Sequence, residues 1–263
     1  MADRHQIGSA VITSAASVPA RKVDRRIIDY SSHAPVYDER RFEGRVNRYL
    51  EMLRFDSFRV LARAHPPGSR VLDVGCGTGR GLLYLMRCGF RTVTGIDCTP
   101  AMLEQAREKL ARQCPDGRVK LIEGDAFALP WSDASFDLVT SFNFLHMFRL
   151  DRQIALLEEM ARVCRPKGCL IFELDSIHKG LFFSRYLEQR RVADRTKFNS
   201  IWELKRMLPR SKFIRYRVVG TGFPVVYRIF SRMPRIGLRI EAITHLAPLG
   251  WLSERVFVSA VRR

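Results

Sequence analysis

The chain reads Val71-Leu72-Asp73-Val74-Gly75-Cys76-Gly77-Thr78-Gly79 at the point where a short apolar run meets three glycines at alternate positions. A helical pattern over Gly79–Cys88 follows without a break. Glycines permit a sharp turn that brings backbone N–H groups close to a ligand, and a helix N-terminus favours an anionic group. The spacing G-x-G-x-G differs from the G-x-G-x-x-G of dinucleotide-binding folds. The segment therefore predicts a strand, a ligand-binding turn and a helix.

An acidic residue, Asp73, lies inside this apolar strand just before the turn. A carboxylate there would repel a pyrophosphate, which together with the glycine spacing argues against a nicotinamide or flavin oxidoreductase. It would instead attract an ammonium group. S-adenosylmethionine (SAM) fits this pattern, since its amino-acid end carries an ammonium for Asp73 and a carboxylate for the backbone N–H groups of the turn.

Short apolar runs alternate with helical patterns along the middle of the chain, which is typical of βαβ units and a parallel sheet. Strands are predicted at Arg70–Gly75, Thr92–Ile96, Val119–Glu123, Phe136–Ser141 and Cys169–Leu174. Helices are predicted at Phe42–Ala64, Gly79–Cys88, Pro100–Gln113, Asp151–Cys164 and Trp202–Leu208, with a stop and turn at Arg165–Gly168. Two further strands, Lys212–Val219 and Arg255–Val261, would close the sheet as an antiparallel pair. The predicted fold class is α/β, with a Rossmann-like, seven-stranded, mostly parallel sheet, helices on both faces and an antiparallel last strand.

The domain organisation follows from the same patterns. Residues 1–23 are expected to be a flexible N-terminal tail, and residues 24–263 to form one domain. Within it we expect a helical cap over 24–65, a SAM-binding core over 66–175 and a basic C-terminal part over 176–263. The last part contains an insert over 221–253 that is long enough to have structure or a function of its own.

The segment 71–79 resembles motif I of the class I SAM-dependent methyltransferases, and the resemblance extends over Asp38–Leu174. Three further landmarks carry it: Gly95-Ile96-Asp97, the loop Glu123–Pro130, and Phe136–His146. The pattern is most similar to the ubiquinone/menaquinone branch, which methylates small molecules at carbon or oxygen. The resemblance implies SAM as the methyl donor.

The resemblance also implies which residues contact the cofactor. The motif I residues would hold the amino-acid tail, Asp97 the ribose hydroxyls, the loop after the third strand the adenine, and Asn143 and its neighbours the sulfonium end. The cofactor-binding residues so predicted are Asp73, Gly75, Cys76, Gly77, Thr78, Gly79, Asp97, Cys98, Met102, Gly124, Asp125, Ala126, Phe127, Phe142 and Asn143.

Candidate catalytic residues are His146 and Tyr37. His146 follows the fourth predicted strand of the core and titrates near neutral pH, so it could serve as a base, although a residue that lines the pocket or caps a helix remains the alternative. Tyr37 and Asp38 resemble an N-terminal Tyr-Asp element of small-molecule family members, in which the tyrosine closes over the cofactor. A helix-entry contact is the alternative there. Glu173, Asp175 and His178 follow the fifth strand and are further candidates.

Charge and cysteines restrict the partners. The net charge is +18, and residues 176–263 alone hold 19 basic and 5 acidic residues. Such a surface attracts polyanions, although a solvated face is the alternative. The six cysteines form no C-x-x-C pair and have no histidine cluster beside them, so neither a metal site nor a disulfide framework is predicted and a cytoplasmic, reducing compartment is expected.

The insert mixes large apolar residues with arginines over Phe223–Ile243. Apolar groups that enter lipid beside arginines that meet anionic headgroups would place the protein on the inner face of a membrane. A cover for the substrate pocket or a homodimer interface is the alternative. We therefore expect a small aromatic or lipid-soluble acceptor, such as a quinone precursor or natural product. The competing hypotheses are an RNA methyltransferase that uses the cationic C-terminal third, and a SAM-binding protein without activity.

Overall fold

The computed structural model describes residues 11–14, 34–38, 44–114, 118–177, 198–209, 211–222, 227–242 and 249–263. Their strands are β1 Val11–Ser14, β2 Val71–Val74, β3 Thr92–Asp97, β4 Arg118–Glu123, β5 Phe136–Ser141, β6 Cys164–Ser176, β7 Phe198–Asn199, β8 Phe213–Thr221 and β9 Arg255–Arg262. Their α-helices are α1 Arg45–Ala62, α2 Arg80–Arg87, α3 Pro100–Gln113, α4 Leu150–Val163, α5 Ile201–Met207, α6 Tyr227–Phe230 and α7 Pro234–Glu241. Candidate residue His178 lies outside the described residues.

All these strands belong to one sheet of nine strands, in the order β1-β4-β3-β2-β5-β6-β9-β8, with β7 paired beside β6. The strands β1 to β6 pair in parallel, whereas β9 is antiparallel to both β6 and β8. The α/β class and the antiparallel last strand are confirmed. The predicted count of seven strands is wrong, because β1 and the two-residue β7 add to the sheet.

Strand β1 comes from the segment that the sequence predicted to be a flexible tail. Val11 pairs with Lys120 and Ser14 with Glu123, so β1 extends the sheet next to β4. Its Val-Ile-Thr-Ser sequence is rich in β-branched residues, which favour strands. Part of the 1–23 segment is thus a strand at one edge of the sheet, and the prediction of a loose tail is wrong for these four residues.

Alternate residues of each strand point to opposite faces, so the sheet has a core on either side. On one face Val71 packs with apolar residues of α1, α2 and α3, among them Phe58, Leu82 and Leu103. On the other face Leu72 and Val74 pack with α4 and α5. Helices therefore cover both faces, as expected from buried parallel strands.

The ends of the helices follow local sequence signals. Gly79, with φ 79°, precedes α2, and Pro100 occupies the first turn of α3. Ser200 and Glu203 form a reciprocal capping box at the start of α5. These signals were readable in the sequence, so the predicted helices agree with the observed ones to within a few residues.

The predicted turn at Arg165–Gly168 lies within β6 as an irregularity of the ladder. The pairing with β5 moves from Phe136↔Cys164 directly to Leu138↔Cys169, so the residues between them bulge away from the partner strand. Lys167 has φ 60°, which shows that the chain does turn here. The strand is therefore longer than predicted, since it resumes in the same sheet after the bulge.

The described part of the insert 221–253 contains two short helices, α6 and α7, that pack against α1. Tyr49 and Leu53 of α1 form a small separate core with Phe230 and Leu238 of the insert. A Cβ atom on Gly237 would lie 2.1 Å from the Tyr49 hydroxyl, so α7 approaches α1 closely. The insert is thus a structured layer over the N-terminal helix.

Candidate cofactor and active site

The glycine turn connects β2 to α2 at the carboxyl edge of the sheet, where α/β folds bind ligands. Gly75, Gly77 and Gly79 all have positive φ, at 69°, 50° and 79°. A Cβ on Gly75 would lie 2.5 Å from the ring of Phe144, so both the backbone and the contact require glycine there.

The backbone N–H groups of this turn are mostly bound within the protein. Those of Gly75 and Cys76 donate to the Ile96 carbonyl at 2.9 and 3.0 Å, and that of Gly77 donates to the Asp97 carboxylate at 2.8 Å. Their role in binding the carboxylate of SAM therefore stays a prediction. These hydrogen bonds fasten the turn to β3.

Asp73 lies within β2, between Leu72 and Val74, and is 1% exposed. Its Oδ1 accepts a hydrogen bond from the Thr140 hydroxyl at 2.8 Å, and Oδ2 lies against Gly81. Burial raises the pKa of this carboxyl to about 7, and the neighbouring charge of Asp97 adds to the effect. Such a carboxyl is short of a cationic partner, and an ammonium group would supply one.

Asp97 ends β3, as predicted, and connects two of the predicted loops. Its Oδ2 accepts from Gly77 and its Oδ1 from the Thr99 N–H at 2.9 Å, while its carbonyl accepts from Gly124. Burial raises the pKa of the Asp97 carboxyl, and this effect outweighs the hydrogen bonds, which lower that pKa. Each oxygen retains a lone pair, so the carboxylate can still accept from ribose hydroxyls.

The loop after β4 is also held by its own contacts. Asp125 accepts from the Phe127 N–H at 2.9 Å, which closes the loop on itself. The Phe127 ring packs edge-on against Phe148 and has the Arg152 guanidinium 4.0 Å from its centre. The carboxylate that was predicted to meet the adenine amino group therefore already has one partner in the loop.

An open cavity of about 490 Å³ lies over the glycine turn. Its walls come from the N-terminal segment, α1, the turn, α2 and the residues after β5. The lining residues are Tyr37, Glu51, Arg54, Asp73, Gly75, Cys76, Gly77, Thr78, Arg80, Gly81, Tyr84, Phe142 and Asn143. The cavity thus contains eight predicted site residues, all assigned to the amino-acid tail, the sulfonium end or the tyrosine cap.

The remaining predicted residues lie outside this cavity. Gly79 begins α2, Met102 is buried, and Cys98 is exposed. Asp97 and the loop from Gly124 to Phe127 lie at the neighbouring strand ends along the same sheet edge. His146 is buried in a short 3-10 helix, Leu145–Met147, and does not line the cavity. Its role as a base therefore stays a prediction.

Tyr37 and Asp38 precede α1, and both lie at the cavity: Tyr37 lines it, and Asp38 contacts the glycine turn. The Tyr37 hydroxyl is 3.4 Å from the Asn143 side-chain nitrogen. Asp38 accepts from the Thr78 hydroxyl at 2.9 Å and pairs with Lys109. The N-terminal segment is therefore fastened to the glycine turn, and closure of Tyr37 over the cofactor stays a prediction.

The sequence reading missed a group of charged residues in the cavity wall. Glu51 pairs with Arg54 at 2.8 Å and with Arg80 at 2.7 Å, and also accepts from the Tyr84 hydroxyl. Burial raises the pKa of the Glu51 carboxyl, but Arg54, Arg80 and Tyr84 outweigh it and hold that pKa below its ordinary value. The spacing of Glu51 and Arg54 on one helix face was a signal for a pair, but nothing local indicated that it faced the site.

Glu173, a weaker candidate base, is 2% exposed and surrounded by cations. Arg54 binds both of its oxygens, at 2.9 and 2.7 Å, and Arg255 binds one at 3.1 Å. Burial raises the pKa of the Glu173 carboxyl, but the two guanidinium groups outweigh it and bring the value to about 2. The two ion pairs therefore favour the ionised form of Glu173, and its role as a base stays a prediction. Asp175 also pairs with Arg255, at 3.2 Å.

The described residues contain no group of three or more His, Cys, Asp or Glu side chains that could hold a metal ion. All six cysteines have free thiols. Within the same described part of the chain, no helix has the length and apolar character needed to cross a bilayer.

Comparison with known proteins agrees with this geometry. A family profile described as "Methyltransferase domain" matches residues 71–168. Demethylmenaquinone methyltransferase from Staphylococcus aureus is 33% identical over 174 residues, which cover 57% of this chain and 70% of the relative. The chain therefore belongs to the class I SAM-dependent methyltransferase family.

Other relatives match over a shorter region. Malonyl-[acyl-carrier protein] O-methyltransferase from Erwinia pyrifoliae is 38% identical over 127 residues, 48% of this chain and 45% of that protein. For several relatives the match spans less than half of the relative's length. Among solved structures, magnesium protoporphyrin IX methyltransferase from Synechocystis PCC 6803 with bound SAH superimposes with a TM-score of 0.65 at 17% identity. It covers 91% of this chain and 100% of that one. That likeness concerns the fold.

Proposed function

We propose that this protein transfers the methyl group of SAM to a carbon or oxygen atom of a small aromatic or lipid-soluble acceptor. The observation that carries the proposal is the buried Asp73 carboxyl at the floor of an open cavity beside the glycine turn. Burial raises the pKa of this carboxyl to about 7. The ammonium of SAM would supply a cationic partner, and the cavity residues fit the rest of the amino-acid tail.

The carboxylate of SAM would find its partner in a side chain, because the N–H groups at Gly75, Cys76 and Gly77 have partners in the turn. Arg80 begins α2 at the cavity wall, and its guanidinium is the cation that we assign to this carboxylate. Asp73 and Arg80 would then bind the two charges of one amino-acid tail.

SAM supplies an electrophilic methyl group on a sulfonium that leaves as S-adenosylhomocysteine (SAH). The acceptor atom donates an electron pair to form a bond to the methyl carbon while the carbon–sulfur bond breaks. The electron pair of the broken bond stays on sulfur. Tyr37, Phe142 and Asn143 line the cavity near Asp73 and would orient the acceptor and exclude water. Orientation of this kind contributes up to about 7–11 kcal/mol in well-aligned reactions. The proton lost by the acceptor needs a base, and His146 is our candidate.

Two observations support the proposed class of acceptor: the substrates named for the relatives, and an exposed face of α6 and α7. By their names, two relatives act on demethylmenaquinone and on malonyl-[acyl-carrier protein]. We define the Ile-Arg face as Ile229, Arg232, Met233, Arg235, Ile236, Arg239 and Ile240, all exposed on α6, α7 and the turn between them. The face contains no acidic residue, so it is complementary to an anionic lipid surface, from which a lipid-soluble acceptor would reach the enzyme.

Calorimetry and a transfer assay test the activity. We expect micromolar or tighter binding of SAH and transfer of label from methyl-tritiated SAM to a demethylated naphthoquinol. Failure of SAH to bind would contradict the cofactor site, and binding without transfer to quinols or other small aromatic acceptors would contradict the acceptor class. The alternative of an RNA substrate rests on charge alone. It would require sub-micromolar RNA binding that falls steeply with salt.

Vesicle co-sedimentation tests the membrane surface. Replacing Arg232, Arg235 and Arg239 with Gln removes three charges, each worth about 1 kcal/mol at an anionic membrane, so binding to phosphatidylglycerol vesicles should fall by about 100-fold. The matched control replaces three exposed arginines elsewhere, Arg63, Arg112 and Arg149. Equal loss in both variants would mean that net charge, and not this face, drives the binding.

A further inference from the structure

Asn143 has an unusual backbone conformation at the point where β5 enters the cavity. Its φ is 50°, in the left-handed region that non-glycine residues rarely adopt. Asparagine tolerates this region better than most residues, but the conformation persists only where surrounding contacts determine it. The contacts that hold Asn143 therefore decide how this part of the cavity wall is shaped.

Three groups hold Asn143 from three sides. Its backbone N–H donates to the Glu173 carboxylate at 2.9 Å. Its side-chain oxygen accepts from the Arg255 guanidinium at 3.2 Å, and its side-chain nitrogen is 3.4 Å from the Tyr37 hydroxyl. Asn143 thus connects the buried ion pairs beneath the cavity with the tyrosine at its rim.

Glu173 is the centre of this arrangement. Arg54 from α1 and Arg255 from β9 fix its carboxylate. The Asn143 N–H donates to the same oxygen, Oε2, that accepts from Arg54 at 2.7 Å. Buried charge networks of this kind are not strong sources of stability, because desolvation offsets most of the attraction. A role beyond stability would explain why three elements converge on one carboxylate.

We propose that Glu173 is a positioning residue: held between Arg54 and Arg255, its carboxylate fixes the left-handed turn at Asn143 and so brings the Asn143 amide to Tyr37 at the rim of the cofactor cavity. Glu173 does not line the cavity and needs no contact with the cofactor. It acts through Asn143 and Tyr37, which both line it. The inference rests on the proposed function, since its effect is read as binding of SAH.

Calorimetric titration with SAH tests the proposal on four proteins: wild type, Glu173→Gln, Asn143→Gly and the double variant. A hydrogen bond to a charged group is worth a factor of about 10 to 100, so we expect Glu173→Gln to weaken SAH binding by that amount. Glycine adopts positive φ without surrounding contacts. If Glu173 acts by holding Asn143 in that conformation, its carboxylate should therefore have little effect in the Asn143→Gly background. There, Glu173→Gln should change SAH affinity by less than about threefold.

The control is Asp137→Asn. Asp137 also pairs with two arginines, Arg70 and Arg165, but at the opposite edge of the sheet. The Asp137→Asn variant should have a lower melting temperature and unchanged SAH affinity. If Glu173→Gln does not fold, Arg255→Lys replaces it, because lysine keeps the charge beside Glu173 but loses the fork that reaches Asn143. That variant should also bind SAH more weakly.

Two results would overturn the inference while the cofactor site stands. One is wild-type SAH affinity in Glu173→Gln or Arg255→Lys, with only the melting temperature lowered as in the control. The other is strict additivity of the Glu173 and Asn143 effects, which would mean that Glu173 does not act through Asn143. Absence of SAH binding by the wild type would instead overturn the proposed function, and this inference with it.

Discussion

The Thr78 hydroxyl donates a hydrogen bond to the Asp38 carboxylate at 2.9 Å, which fastens the segment before α1 to the glycine turn. Lys109 of α3 pairs with the same carboxylate and donates to the Thr78 carbonyl at 2.6 Å. Three distant parts of the chain therefore meet at one carboxylate. Tyr37 is the neighbour of Asp38, so its position over the cavity depends on this contact.

Replacing Asp38 with Ala should release the tyrosine from the cavity. Lys109 and Thr78 would lose the acceptor that they share, and with it the contact that fastens Asp38 to the turn. We expect SAH binding to weaken by about tenfold or more, since the lost hydrogen bonds involve a charged group. Isothermal calorimetry measures this. Asp56→Ala is the control, because Asp56 pairs with Arg59 on the exposed side of α1 and should leave SAH affinity unchanged.

Asp73 should make cofactor binding depend on pH. Its carboxyl has a pKa of about 7 because it is buried, and only the ionised form pairs with an ammonium. Below pH 7 SAH affinity should fall by up to about tenfold per pH unit, and in strongly alkaline solution it should fall again as the amino group of SAH loses its proton. Asp73→Asn should bind SAH weakly and lack the acidic limb. An unchanged acidic limb in that variant would assign the titration to another group.

The same carboxyl should cost stability in the absence of SAH. Its pKa rises from 3.8 in the unfolded chain to about 7 in the folded protein, so the folded state holds an extra proton between these values. The free energy of unfolding from this group therefore falls as pH rises through that window. At pH 8 Asp73→Asn should be more stable than wild type, measured by urea denaturation without ligand. Lower stability of the variant at pH 8 would contradict this assignment.

Local sequence signals predicted the core well because each strand and helix carries its own pattern. The run Val71–Val74, the glycines after it and Pro100 at the start of α3 are readable without tertiary structure. Strand β1 was missed since four residues in a polar segment become a strand only by pairing with β4. Strand β7 was missed for the same reason, since its two residues form a strand only by pairing with β6.

The site was predictable only where a motif carries the chemistry. Asp73 and Asn143 lie beside recognisable strands, and both line the cavity. Glu51, Arg54 and Arg80 line it too, but they come from ordinary helical sequence, and their meeting depends on how α1 crosses the sheet edge. The ion pairs of Glu173 were not predictable, because Arg54 and Arg255 are distant from it in the sequence.

Asp97 and Asp73 should recognise different parts of the cofactor, and a pair of ligands separates them. Asp97→Ala should weaken both adenosine and SAH by a factor of about 10 to 100, since the lost carboxylate hydrogen bonds go to the ribose. Asp73→Asn should weaken SAH but not adenosine, which lacks the amino-acid tail. Calorimetry with both ligands measures the four affinities. Equal losses of adenosine and SAH in Asp73→Asn would contradict the placement of the tail.

Gly81 should tolerate no side chain, although it lies inside a helix. A Cβ there would lie 2.3 Å from the Phe142 ring and 2.5 Å from the Asp73 carboxylate. Alanine favours the helix by about 1 kcal/mol over glycine, but forcing a methyl group into a packed wall costs about 1–3 kcal/mol and would displace two cavity residues.

We therefore expect Gly81→Ala to lower the free energy of unfolding and to weaken SAH binding by about tenfold or more. Urea denaturation and calorimetry measure the two effects. Gly68→Ala is the matched control, because nothing lies within 4 Å of the Cβ it would add. A stabilised Gly81→Ala that binds SAH as well as wild type would show that Phe142 and Asp73 can move freely, and the preorganised floor of the cavity would then have to be abandoned.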